Sequence, residues 1–258
     1  MHNVRSRLHH GGVENFEALV PPHEPADDVL ALAGKAALSL VPVLGPFAAE
    51  TLALALETRQ AERQREFNQA IAHALTDVMS RLDAGLAVED IVESDEFIAA
   101  VTGAQRMAAE TASERKRQRL AAAVANSGSW APYSASEREQ FKRLVEQFDE
   151  LHVWLLHYFV DPASWMQSRD LYSQHANLVV GGIGGPLGSA LGCSPKVWRG
   201  PVTQAAADLE RAGLASIPLT TTMSAQGIFA PRTSERGRRF LAFLNEPDSL
   251  AAEPPPAL

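Results

Sequence analysis

The sequence predicts a mainly α fold: an N-terminal helical hairpin or bundle, then a C-terminal helical and winged-helix-like (α+β) module. Three observations carry this. Apolar residues recur at helical spacing over long stretches, as in Phe67, Ile71, Leu75, Val78 and Leu82. Good capping residues stand ahead of those runs. Strand-like stretches are short and confined to the C-terminal region. With 258 residues, 46% of them hydrophobic and only 7% aromatic, the chain has enough Ala, Leu and Val for a sizeable core. The expected divisions are a disordered tail over 1–28, a helical domain over 29–128, a helical and winged-helix-like domain over 136–245, and a Pro-rich tail over 246–258.

The first 28 residues mix His, Gly, Pro and charges without periodicity. His2, His9, His10 and His23 have no Cys or carboxylate at ligand spacing and are read as solvated side chains. The first apolar run begins only at Val29, too late for an export signal, so a cytoplasmic location is expected. Cys193 is the single cysteine and has no intrachain disulfide partner, which suits a reducing compartment.

Val29 to Leu56 is apolar, but Pro42, Gly45 and Pro46 interrupt it. Proline removes a helical donor and clashes with the preceding turn, so one helix should end near Val41 and another begin near Pro46. The arm from Val29 to Val41 spans about 20 Å, short of a ~30 Å hydrocarbon core. Lys35 and Glu50 also oppose a membrane site, at about 3 kcal/mol each near the bilayer centre. Leu38, Leu40, Val41, Pro42, Val43, Leu44, Gly45, Pro46 and Phe47 form the candidate membrane or interface hairpin. Core packing, membrane entry and an oligomer interface all stand as readings of it.

The second arm continues into the amphipathic run from Phe67. Its Arg59, Glu62, Arg63, Arg65 and Glu66 are of interleaved sign and read as a solvated face. Ser94 is expected to cap a helix through Phe97, Val101, Ala104 and Ala108. Ser113 opens "SERKRQRLAAAVAN", whose Arg115, Lys116, Arg117 and Arg119 form the densest basic run and read as an exposed face. Ser136 is expected to cap a long helix carrying Phe141, Leu144, Phe148, Leu151, Leu155 and Phe159 on one side. Asp149 and His152 lie three apart on it and within reach of each other, with His157 beyond, and His152 reads as a half-buried structural histidine. Asp161 and Pro162 start the next helix.

"GGIGGPLGSALG", residues 181–192, lacks the GK[ST] ending and the dinucleotide spacing, and is read as a flexible linker. "SPKVW" and "VTQAAADLERAGL" read as two helices, the second closed by Gly213. "ASIPLTTTM" and "GIFAPRT" read as two short strands around "SAQG". Ser234 caps a last helix ending at Leu244.

No HExxH, CxxC or GxSxG occurs, so no catalytic, metal or cofactor residue is assigned and no small-molecule substrate is expected. The chain's net charge of −8 disfavours a phosphate backbone. The would-be recognition helix, with Asp208, Glu210 and Arg211, balances at −1. Lys196, Arg199, Arg211 and Arg232 are the candidate contacts if the module reads DNA as a transcriptional regulator does. The leading expectation is a non-enzymatic protein acting on a protein partner, a second copy of itself or a membrane.

"SLVPVLGPFAAE", "FIAAVTGAQRMAAETASERKRQRLAAAVAN", "DELHVWLLHYFVDPASW" and "DLERAGL…TTM…GIFAPRTSERGRRFLAFL" together resemble a set of bacterial proteins of unassigned activity. Those share an "IPxxGGP"-like apolar turn, a helical middle and a winged-helix-like end. The resemblance spans most of residues 29–245. The order of parts is more distantly similar to the abortive-infection alpha family, which implies a role in phage defence. "KRQRLAAAVAN" departs from that family's Trp-containing helix signature. The resemblance supports the architecture and assigns no catalytic residue.

Overall fold

Proline at 46 starts a helix where its missing amide costs nothing, and α1 runs from Pro46 to Met79. The computed structural model describes residues 46–81 and 88–245, with side chains over 57–81 and 89–245. The tails over 1–28 and 246–258, Leu82, and the hairpin residues Leu38, Leu40, Val41, Pro42, Val43, Leu44 and Gly45 lie outside them. Pro46 and Phe47 stand at the first turn of α1. The chain divides into two units, Met1–Gln60 and Ala61–Leu258. Of the first, only the α1 backbone and the last few side chains are described.

The second unit is mainly helical. Phe67, Ile71, Leu75 and Val78 of α1 are buried, as their spacing requires. Short α2 (Val88–Val92) leads to α3 (Asp95–Glu110) and α4 (Glu114–Ala125). Ser94 and Ser113 cap them, accepting from the amides of Phe97 at 3.2 Å and Lys116 at 3.1 Å. Every residue of α4 from Arg119 to Ala125 is buried, so this helix is enclosed rather than half-exposed.

The long helix expected from Ser136 is two helices. α5 (Ala135–Gln147) is capped by Ser134 in a reciprocal box with Glu137. The chain then extends at Phe148, and Asp149 caps α6 (Glu150–Tyr158) by accepting from the amides of Leu151 and His152. A carboxylate that takes those amides competes with helix continuation, so the apolar stripe persists while the backbone breaks. Asp161 and Pro162 open α7 (Pro162–Gln167) as expected.

Residues 181–192 are not a linker. β1 (Val180–Gly181) leads into α8 (Gly184–Leu191), with Leu187 fully buried. A Cβ on Gly188 would stand 3.0 Å from Trp198 Nε1, and one on Gly184 3.5 Å from the same ring. These glycines therefore admit an indole, and its burial offsets their entropy cost. Gly192, in the left-handed region at φ 66°, opens a three-residue turn into α9 (Pro195–Arg211). The two helices expected here are one, with Pro201 inside it. Gly213 closes α9 at φ 70°.

The two strands expected around "SAQG" are also absent. β2 (Met223–Ser224) pairs antiparallel with β1 instead, in the register Val180 to Ser224. Ser224 then caps α10 (Ala225–Ile228), a single turn that buries Ile228. The limbs meet only at their base, in the bridge between Ala215 and Thr233. The cap and the buried isoleucine hold "SAQG" in a helical turn. Ser234 caps α11 (Glu235–Phe243), and a Cβ on its Gly237 would lie 2.3 Å from Leu214 O.

One contiguous core joins residues from Phe67 to Leu244. Phe141 of α5 packs on Phe240 and Phe243 of α11 at ring separations of 5.3 and 5.4 Å. Trp154 of α6 packs on Tyr158 and Trp165 at 5.4 and 5.5 Å. Each such buried ring contributes on the order of 2 kcal/mol.

Candidate functional site

The basic run of α4 turns inward. Arg119 is 4% exposed, while Arg115, Lys116 and Arg117 are half-buried. Lys116 Nζ donates to the carbonyl of Phe148, and to that of Glu146 at 3.2 Å, and so closes the C-terminus of α5. Burial first, and then the neighbouring Arg119 charge, lower the Lys116 pKa. Arg117 donates to Thr111 O at 3.4 Å and lies 4.0 Å from Glu66. The solvated face expected here is a set of interior fastenings, because α4 is packed on several sides.

The helices α6 and α9 meet at His152. Its Nδ1 stands 2.7 Å from Asp149 Oδ1 and its Nε2 3.6 Å from Asp208 Oδ2. Its ring stacks on Phe148 at 4.5 Å. The His152 hydrogen bond is the largest influence holding the Asp149 carboxyl below its ordinary value. Hydrogen bonds from Gln204 and then Arg211 do the same for Asp208. The His152 Nδ1 also faces the Asp149 amide at 3.3 Å, which closes a reciprocal box at the start of α6. The arrangement is a polar strap between the N-terminus of α6 and the rear of α9. It borders an open groove of about 460 Å³ lined also by Leu144, Gln147 and Arg211.

The front half of α9 is different. Lys196, Arg199, Gly200, Thr203 and Gln204 line an open shelf of about 590 Å³, and all five are exposed. Val197 beside them is 45% exposed, and Val179 and Val180 at β1 are 78% and 63% exposed. Trp198 is buried against α8 and fixes which side of α9 faces out.

The four cations expected to act together do not share one surface. Lys196 and Arg199 do. Arg211 stands about 20 Å further along the helix, paired with Asp208 at 2.6 Å. Arg232 is turned inward, its Nη2 donating to the carbonyl of Gly227 and lying 2.9 Å from the Met223 sulfur. Val179, Val180, Thr203 and Gln204 belong to no recognisable motif. The signal that marks them is a deficit: residues 171–234 contain only Asp208 and Glu210 as acids, in a chain with 31.

Among the described residues no group of three or more His, Cys, Asp or Glu side chains is placed to hold a metal ion. No helix among them is long and apolar enough to cross a membrane. No family model, curated protein or solved structure matches the chain.

Proposed function

We propose that this protein works by binding another macromolecule rather than by turning over a small substrate, and that the helix-turn-helix formed by α8 and α9 presents the contact face. The observation that supports the reading is the exposure of Val197 beside Lys196 and Arg199. A solvated branched apolar side chain set between two cations suits a docking surface. The turn glycine, the buried Trp198 anchor and the strap at Asp208 hold α9 at both ends, so its outward side is presented on a rigid support.

A photoreactive residue at position 197, with a second variant carrying it at exposed Glu139 as reference, tests this in cells. Discrete crosslinked species are expected from position 197 and not from 139. Equal, diffuse crosslinking from both positions would overturn the reading.

A further inference from the structure

We propose that the outward side of α9, from Lys196 to Gln204, docks double-stranded DNA. The inference rests on the contact reading above and names its partner. Residues 171–234 hold four Lys or Arg and two Asp or Glu, a balance of +2, whereas the other residues hold 19 and 29, a balance of −10. A chain this acidic repels phosphate everywhere except where its acids have been left out.

The two acids within the stretch are engaged by the protein itself. Asp208 accepts from Gln204 at 3.0 Å and from Arg211 at 2.6 Å, and it faces His152. Glu210 accepts from the Ile217 amide at 3.2 Å and the Ser216 hydroxyl at 3.3 Å. Both lie on the rear third of α9, behind the shelf. The charge of −1 counted over residues 202–214 therefore does not describe α9, which balances at +1 over Pro195–Arg211 and carries Lys196 and Arg199 at its front.

Gln204, exposed on the same shelf, gives one amide hydrogen to Asp208 and has the second left for a phosphate oxygen. A helix fits the roughly 12 Å width of the major groove, and a short glycine turn between two helices is a common way to offer one. Lys196 and Arg199 supply two phosphate or guanine contacts, and Val197 an apolar contact to a thymine methyl.

Fluorescence anisotropy with a labelled mixed-sequence duplex of about 30 base pairs tests this on the full chain. Two cationic contacts predict a salt slope of about −1.8, so affinity should fall about twelvefold from 50 to 200 mM salt. Lys196→Glu with Arg199→Glu should weaken binding at least tenfold at 50 mM, with an unchanged circular dichroism spectrum. Arg65→Glu, on an exposed part of α1, should bind as the unaltered protein does. No saturable binding at 50 mM, equal binding by the double variant, or a single strand bound as tightly as the duplex would each overturn the inference. Crosslinking of a protein from position 197 without DNA binding would overturn it alone and leave the contact reading in place. Failure of both experiments would remove both.

Discussion

Helix α4 carries Arg115, Lys116, Arg117 and Arg119 within five residues, whereas α9 carries only Lys196 and Arg199 in its first five. By density of charge, α4 looks like the surface that meets an anion. Its cations are spent inside the fold, on the Phe148 and Glu146 carbonyls, on Thr111 and within the core. The sparser pair on α9 faces water with no carboxylate on its shelf. The difference teaches that local potential depends on which charges are left over after folding. A basic run on an enclosed helix has few left over. Two cations on a shelf that no carboxylate lines keep both.

The comparison predicts that substitutions on α4 cost stability and those on the front of α9 do not. Arg119→Ala should lose about 3 kcal/mol in urea unfolding, since it removes a long, buried side chain together with its polar bonds. A loss under 1 kcal/mol would break the contrast. Gly188→Leu should cost about 2 kcal/mol, because its side chain must displace Trp198, and tryptophan fluorescence should report the shift. Lys116→Met should cost about 1 kcal/mol by removing the donor at the end of α5.

Asp149→Asn sharpens the contrast at the strap. The Asp149 carboxyl is held below its ordinary value of 3.8. Its contribution is therefore fully present above that pH and lost as pH falls through the lower folded value. The variant should show a shallower loss of stability below pH 3.8 than the unaltered protein, read from urea midpoints across that range. Parallel curves would show that the carboxyl does not carry the strap. Arg199→Ala should change stability by less than about 0.5 kcal/mol, as expected for an exposed side chain.

The features legible in the sequence are those decided within a few residues. Ser94, Ser113, Asp161, Ser234 and Gly213 end or start helices through their own side chains or backbone angles, and each stands where local chemistry put it. Proline at 46 is a case of the same kind. The features that were not legible depend on partners distant in the chain. Glycines 184 and 188 read as a linker until Trp198 is seen against them. "SAQG" reads as a turn between strands until Ile228 is seen in the core and Val180 beside Ser224. Ser134 prevails over Ser136 through its reciprocal bond with Glu137, although Ser136 stands at the same spacing from Glu139. The shelf on α9 was half legible: Lys196 and Arg199 were singled out for charge alone. Val197, Thr203 and Gln204, which complete it, are exposed because Trp198 turned the other way.

Pro201 gives α9 a mechanical property. It has no amide to offer the Val197 carbonyl one turn earlier, so the helix lacks one rung of its hydrogen-bond ladder between its front and its rear. Behind the gap, the bonds of Asp208 anchor the shaft. Ahead of it, Trp198 pins the leading turn to α8, so the missing rung is braced on both sides.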